Sequence, residues 1–90
     1  MSRVRVPFPA QVFFVYILQS EKTKRFYIGA TNDIVRRIIE HNNGHTKSTK
    51  YQRPWKIVHL ERYSNEIIAK RRERKIKSYK GGYAFKALFG

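Results

Sequence analysis

One carboxylate stands alone in the most basic stretch of the chain. Across residues 70–80, seven of eleven residues are Lys or Arg, and Glu73 is the single acid. On a helix, Glu73 falls on the same face as the apolar residues one turn away, so it is expected to point inward. A carboxylate in such a place could bind a hard divalent cation through oxygen. The alternative is a helix salt bridge with Lys70 or Lys77, which would contribute only tenths of a kcal/mol.

An arginine and a histidine share the apolar face of an earlier candidate helix. Arg37 and His41 lie one turn apart, on the same side as Ile34 and Ile38. The planar fork of donors on Arg37 could clamp a phosphate, and His41 could donate a hydrogen bond or move a proton. The alternative for Arg37 is a stem packed on the edge of the core, with its charged head in water.

Two tyrosines occupy positions that a β-hairpin would bring together. If the turn is centred near residues 22–23, strand pairing places Tyr16 and Tyr27 on one face, together with Leu18 and Gly29. Gly29 has no side chain, so a ligand or a backbone could approach closely there. The alternative is that both tyrosines are ordinary core residues of a strand.

The elements that must position these residues follow from local patterning. Apolar runs rich in β-branched and aromatic residues predict three strands, at 13–19, 26–31 and 55–63. Helical spacing and capping residues predict one helix at 33–42 after Thr31 or Asn32, a second at 66–79 after Ser64 or Asn65, and a short last turn within 83–89. The predicted fold is α+β, β-β-α-β-α, with a three-stranded antiparallel sheet flanked by helices.

Length and composition limit the functions that the chain can have. Ninety residues make one domain, expected at 12–90 behind an irregular N-terminal arm at 1–11. The absence of cysteine excludes disulfides, zinc-thiolate sites and thiol nucleophiles, and it suits a cytoplasmic protein. No apolar run is long enough to span a membrane. Glycine-rich phosphate loops, zinc-protease helices and serine nucleophile elbows are likewise missing from the sequence.

The charge points to a polyanionic partner. Twenty Lys and Arg against six Asp and Glu give a formal net charge of +14, which attracts nucleic acid and speeds its encounter. A membrane surface is disfavoured because the basic stretch 70–80 lacks the Trp, Phe or Leu of a membrane-binding face. Candidate phosphate contacts lie in the hairpin turn, the loop 45–53 and the basic helix: Arg25, Lys47, Lys50, Arg53, Lys70, Arg71, Arg74 and Lys77. Tyr51 and Trp55 could stack on a base, although a core position is favoured for Trp55.

Together, the unusual positions resemble a known pattern, that of the GIY-YIG nuclease superfamily and especially its short, free-standing bacterial members. The resemblance covers about residues 13–79. The residues that carry it are Val15-Tyr16-Ile17, Tyr27-Ile28-Gly29, Arg37, His41 and Glu73. Two positions depart from the pattern: Val15 replaces the first glycine, and Ala30 stands where many catalytic members have Lys or another polar residue.

The resemblance implies hydrolysis of DNA phosphodiester bonds at one divalent metal, Mg²⁺ or Mn²⁺. Glu73 would bind the metal, and Arg37 would hold the scissile phosphate. Tyr16 and Tyr27 would flank the attacking water, one of them as general base, and His41 would support the tyrosines or the leaving group. Because a phenol has an ordinary pKa of about 10, the site would have to lower that pKa.

The predicted function is therefore a metal-dependent endonuclease in the repair or processing of DNA. It is expected to be a monomer in solution, with dimerisation on DNA left open. Two alternatives also explain the charge: a DNA- or RNA-binding module that keeps the fold without the chemistry, and a small basic protein bound to RNA or to a larger assembly. Only the enzyme explains why all five site residues are present.

Overall fold

The computed structural model describes residues 12–89. The arm expected at 1–11 lies outside these residues. The fold is α+β with the predicted order of elements. They are β1 (Phe13–Ser20), β2 (Phe26–Thr31), α1 (Ile34–Asn42), β3 (Trp55–Tyr63), α2 (Glu66–Ser78) and α3 (Tyr83–Ala87), with a single 3₁₀ turn at Lys50–Gln52.

The sheet is built around β1, which pairs antiparallel with both of its neighbours in the order β2-β1-β3. This strand is central because it is apolar on both faces: the four residues from Val15 to Leu18 are at most 1% exposed. A strand that points alternate side chains to opposite faces and buries all of them needs a packed layer on each side. The helices provide those two layers.

Each face of the sheet carries its own cluster of apolar residues. On one face, Val15 and Ile17 pack against Ala69 and Ile76 of α2 and Phe85 of α3. On the other face, the buried residues are Tyr16, Leu18 and Trp55, against which Tyr27, Ile34 and Ile38 pack. Tyr16 and Tyr27 therefore lie on the α1 side of the sheet, whereas Glu73 belongs to α2, which packs on the other side.

The N-cap of α1 differs from the prediction. The Asp33 carboxylate accepts a hydrogen bond from the Arg36 backbone N–H at 3.0 Å, so Asp33 caps the helix, and the prediction of Thr31 or Asn32 was wrong. Thr31 is still part of β2, and its hydroxyl accepts from the Asp33 backbone N–H at 3.1 Å. Asn65, one of the two predicted caps of α2, does cap that helix, accepting from Ile68 N–H at 3.1 Å.

An ion pair ties α2 to β3. Arg72 donates two hydrogen bonds to the Glu61 carboxylate, from Nε at 2.7 Å and from Nη2 at 2.9 Å. His59 and Tyr63 also hydrogen-bond this carboxylate, at 2.8 and 2.7 Å. Since Glu73 is the next residue after Arg72, this pair helps to set the position of the lone acid on the helix.

We expect Glu61→Gln to flatten the acid dependence of stability. Hydrogen bonds from Arg72 hold the pKa of Glu61 at about 2. A depressed pKa adds stability at pH values above the unfolded pKa, and that stability is lost as the pH falls through about 2. As the pH falls from above 4.5 to below about 2, the free energy of unfolding of the wild type should decrease by about 2–3 kcal/mol, measured by denaturant unfolding. Glu61→Gln should lose much less, and Glu21→Gln, an exposed control, should behave like wild type; equal acid dependence in all three would contradict the assignment.

Candidate active site

The hairpin brings Tyr16 and Tyr27 to one face, as predicted. Tyr16 lies opposite Gly29, and Leu18 opposite Tyr27, in the β1–β2 register. The two phenol rings stack with their centroids 6.4 Å apart. Gly29 is needed because the Tyr16 ring crosses directly over it: a β-carbon at this position would lie 2.5 Å from the Tyr16 hydroxyl oxygen.

Gly29→Ala should therefore displace the Tyr16 phenol. The ring would have to shift by more than a few tenths of an ångström, and Tyr16 is only 1% exposed. We expect this overpacking to lower the free energy of unfolding by about 1–3 kcal/mol, measured by denaturant unfolding. Unchanged stability in the alanine variant would mean that the ring can move at no cost.

His41 lies beneath the two tyrosines and is fully buried. Its Nε2 is 3.3 Å from the Tyr16 hydroxyl, and its ring centroid is 4.7 Å from that of Tyr27. Burial, helped by the nearby Arg37 charge, lowers the pKa of His41 to about 4, so the imidazole is neutral near pH 7. A buried ring cannot reach a leaving group, so of its two expected roles the geometry favours support of the tyrosines.

Arg37 is held by Glu40, three residues further along α1. Its Nη1 donates to the Glu40 carboxylate at 2.8 Å, and Arg36 donates to the same carboxylate at 2.9 Å. The Arg37 guanidinium lies close enough to the Tyr16 phenol to oppose the rise in the pKa of Tyr16. With its side chain 27% exposed, Arg37 combines a fixed stem with donors that can still reach a ligand.

The protein groups alone do not lower the pKa of Tyr16. Burial raises this pKa, and the hydrogen bond and charge of Arg37 only partly oppose the rise. The expected contribution of Arg37 is thus present, but it is outweighed by desolvation. Tyr16 is accordingly a neutral phenol near pH 7, able both to donate and to accept a hydrogen bond.

Glu73 occupies the inward stripe of α2, with its side chain 15% exposed. Its carboxylate forms an ion pair with Lys77 at 2.8 Å, so one of the two salt bridges considered from the sequence is formed. Its charge makes a small contribution to raising the pKa of Tyr16, although α2 packs on the other face of the sheet.

The donor set fits a cation that is only partly coordinated by protein. Within residues 12–89 there is no group of three or more His, Cys, Asp or Glu that could hold a metal ion. Mg²⁺ commonly binds through one or two carboxylates, several waters and substrate phosphates, and Glu73 with an incoming phosphate matches that pattern.

A polar groove joins the two helices around the end of β2. Its volume is about 310 Å³, and it is lined by Arg36 and Arg37 from α1, Ala69 and Lys70 from α2, and residues between them such as Thr31. Arg37 thus lies beside Tyr16 and His41 and also lines the groove. Arg36 and Arg37 line the groove from α1, and Lys70 lines it from α2 together with the carboxylate of Glu66.

The eight candidate phosphate contacts are all exposed, but they do not form one surface. Successive helical residues turn by about 100°, which places Lys70, Arg74 and Lys77 on the flank beside Glu73. Arg71 points away from this flank and lines a separate depression next to Ile68. Arg25 lies in the β1–β2 turn, and Lys47, Lys50 and Arg53 lie in the loop before β3.

The two aromatic candidates for base stacking differ in exposure. Tyr51 is 74% exposed, whereas Trp55 is 4% exposed. Trp55 Nε1 donates to the Thr49 carbonyl at 2.9 Å, so Trp55 is a core residue, as favoured from the sequence.

None of the helices in residues 12–89 has the length and apolarity needed to cross a membrane.

Thr49 was missed by the sequence analysis. It lies in the polar loop before β3, yet it is only 1% exposed. Its hydroxyl is 2.9 Å from His41 Nδ1. A threonine in a run of polar residues gives no periodic signal, so only the folded loop reveals that it contacts the site.

The chain is similar in sequence to known proteins. The family model for the GIY-YIG catalytic domain matches residues 12–83. The UPF0213 protein SERP0126 of Staphylococcus epidermidis is 40% identical over 67 residues, covering 73% of this chain and 80% of its own. A UPF0213 protein of Syntrophus aciditrophicus is 45% identical over 67 residues, covering 71% and 75%.

A solved structure is also similar. The solution NMR structure of the UPF0213 protein BH0048 from Bacillus halodurans is 31% identical, with a TM-score of 0.47, covering 74% of this chain and 71% of that one. The family-model match extends from the start of the described residues to the first residue of α3. It includes both tyrosine triplets, Arg37, His41 and Glu73. The chain therefore belongs to the GIY-YIG family.

Proposed function

We propose that the protein is a metal-dependent endonuclease that hydrolyses phosphodiester bonds in DNA. The observation that carries this proposal is the contact of Tyr16, Tyr27 and His41, which come from three different elements and lie beside Arg37, a residue that also lines the polar groove. Glu73 lies on the inward stripe of α2. A solvated helix face does not require a buried histidine, a glycine under a phenol and an inward arginine to meet. A phosphodiester site uses each of them.

Arg37 is the residue we assign to the scissile phosphate. Its bond to Glu40 uses one Nη1 hydrogen, and the guanidinium carries five N–H donors in all. The remaining donors can point at non-bridging oxygens, where negative charge grows during hydrolysis. Because Glu40 and the core fix the stem beforehand, little reorganisation is needed when the phosphate arrives.

The phenols are assigned to the attacking water. Tyr16 can accept a hydrogen bond from that water while its own hydroxyl donates to His41 Nε2, which is 3.3 Å away. Tyr27, which is only half-buried, would orient the water from the other side. We therefore assign both phenols to the attacking water, with His41 as the hydrogen-bond acceptor that orients Tyr16.

Glu73 would hold the divalent cation, Mg²⁺ or Mn²⁺. When bound, the cation supplies positive charge that stabilises the phosphate oxygens. Lys77 now neutralises Glu73, and because Lys77 is half exposed it can leave for a DNA phosphate without a large desolvation cost. The same helix thus offers a cation ligand and a backbone contact.

The substrate is expected to be recognised through its backbone. With a net charge of +14 and basic residues spread over a helix, a loop and a turn, affinity should depend on phosphates and fall steeply with salt. The proposal includes a cytoplasmic role in DNA repair or processing, and a monomer in solution. Cutting both strands of a duplex would require two copies on the DNA.

A second candidate is a module that binds DNA or RNA without cutting it. The observation that favours it is that Arg37 and Glu73 both form ion pairs within the protein, with Glu40 and Lys77. In a site that has lost its catalytic activity, the Arg37–Glu40 and Glu73–Lys77 ion pairs would stay formed. In an enzyme, they must open when substrate and cation bind.

A cleavage panel separates the two candidates. Purified protein would be incubated with labelled nicked, branched, single-stranded and plain duplex DNA, and with RNA, in Mg²⁺, Mn²⁺ or EDTA. Metal-dependent cleavage of DNA supports the endonuclease. Tight, salt-sensitive binding without cleavage of any substrate would overturn it and leave the binding module.

A further inference from the structure

Both ring nitrogens of His41 are engaged in a buried chain of hydrogen bonds. Nε2 lies 3.3 Å from the Tyr16 hydroxyl, and Nδ1 lies 2.9 Å from the Thr49 hydroxyl. The Thr49 hydroxyl in turn lies 3.3 Å from the backbone carbonyl of Thr46. Tyr16, His41 and Thr49 are each at most 1% exposed, so water does not readily substitute for any of these partners.

The Thr49 end of the chain fixes one direction. A backbone carbonyl only accepts hydrogen bonds, so the bond between Thr49 and Thr46 uses the single hydroxyl hydrogen of Thr49. The Thr49 oxygen must then accept from His41. This requires the hydrogen of the neutral imidazole to be on Nδ1, and it leaves Nε2 as an acceptor.

The Tyr16 end leads independently to the same direction. Among the described residues, His41 Nε2 is the side-chain acceptor within hydrogen-bond distance of the Tyr16 hydroxyl. Because Tyr16 is only 1% exposed, its hydroxyl hydrogen needs this acceptor. With the imidazole hydrogen on Nε2 instead, the hydroxyl hydrogen of Tyr16 would face a donor.

We propose that Thr49 is a positioning residue of the active site, which places the His41 hydrogen on Nδ1 and thereby makes Tyr16 the donor in the Tyr16–His41 hydrogen bond. The catalytic consequence rests on the proposed nuclease function. A Tyr16 that donates to His41 has its hydroxyl hydrogen fixed and presents its oxygen lone pairs to the attacking water. A Tyr16 that accepts from His41 gives up one of those lone pairs and has no acceptor for its hydrogen on His41.

Thr49 is itself firmly held. Its backbone carbonyl accepts from Trp55 Nε1 at 2.9 Å, and its backbone N–H donates to Thr46 at 3.1 Å. The loop before β3 therefore acts as a support for the site, although it contacts neither the phosphate nor the cation directly. Removing only the hydroxyl function should change the tautomer of His41 and leave the loop in place.

The first test reads the tautomer directly. The ¹⁵N spectrum of the imidazole distinguishes a protonated from an unprotonated ring nitrogen. In the wild type and in Thr49→Ser, we expect His41 to be protonated on Nδ1 and bare on Nε2. In Thr49→Val, which keeps the shape but not the hydroxyl, the hydrogen should move to Nε2. A wild type already protonated on Nε2, or a valine variant that keeps Nδ1–H, would overturn the proposal.

The second test reads the consequence for cleavage. Thr49→Val should lower kcat about tenfold or more, the scale of loss when the partner of a functional histidine is removed. The KM for DNA should stay unchanged because Thr49 is buried, and Thr49→Ser should restore most of kcat. A switched tautomer with unchanged kcat would overturn the positioning role. If the wild type cuts nothing, the proposed function fails, and the spectrum still decides the assignment of the His41 hydrogen.

Discussion

Glu73→Gln is expected to lower the rate of metal-dependent DNA cleavage about a thousandfold, because a cation held in the site supplies several kcal/mol of charge stabilisation. Glutamine keeps the length of the side chain and its place on α2, but it is a far weaker cation ligand than a carboxylate. The measurement is single-turnover cleavage in Mn²⁺ at saturating protein. DNA binding, followed separately by gel shift, should be unchanged or slightly tighter, since one negative charge is removed.

The matched control for this prediction is Glu21→Gln. It removes the same charge from the exposed β1–β2 turn, far along the chain from α2, so it reproduces the electrostatic change without touching the site. Loss of the Glu73–Lys77 pair should cost well under 1 kcal/mol, since Lys77 is 52% exposed. If both variants cleave like wild type, Glu73 is not the cation ligand.

Arg37→Lys is expected to lower kcat by about 10²–10³-fold, the cost of removing one preorganised donor from a developing oxyanion. Lysine keeps the positive charge but loses the planar fork of donors, so it cannot bind a phosphate through two parallel hydrogen bonds while its other donors hold Glu40. The effect should fall on kcat more than on KM, because the interaction strengthens as charge develops on the phosphate.

Arg36→Lys is the control for Arg37. The two arginines are neighbours on α1 and share the Glu40 carboxylate, yet the side chain of Arg36 is 56% exposed and that of Arg37 only 27%. Since Arg36 also lines the polar groove, its lysine variant should weaken DNA binding slightly and leave kcat within a fewfold of wild type. Equal losses in both variants would mean that the arginines act only as surface charge.

The fold was predictable because each element has a strong local signal. The apolar run of β1 requires burial on both faces, and the spacing of Ile34 and Ile38 gives α1 one packed side. The strand bounds agreed to within one residue, and α2 ended one residue early, at Ser78. The cap of α1 was predicted wrongly because Thr31, Asn32 and Asp33 are all good capping residues, and only the end of β2 decides among them.

Residues that break a local pattern indicate the candidate site from the sequence. An acid in a basic helix, an arginine on an apolar stripe and a glycine facing a tyrosine are each visible in the sequence. The supporting residues are not. Glu40 has the sequence pattern of a surface charge, although it pairs with Arg37 three residues away. Thr49 has the pattern of a loop residue, and its contact with His41, eight residues away, forms only in the folded chain. The sequence alone does not show how either residue affects the pKa or the tautomer of its neighbours.

The most direct test of the central claim is the nicking of supercoiled plasmid, which presents many sequences and needs no knowledge of the preferred substrate. Purified protein would be mixed with plasmid in Mn²⁺ at low salt, with a parallel sample in EDTA. The endonuclease proposal predicts conversion of supercoiled DNA to nicked circles in Mn²⁺ and none in EDTA. Plasmid that is bound in a gel shift yet stays supercoiled in every divalent metal would contradict it.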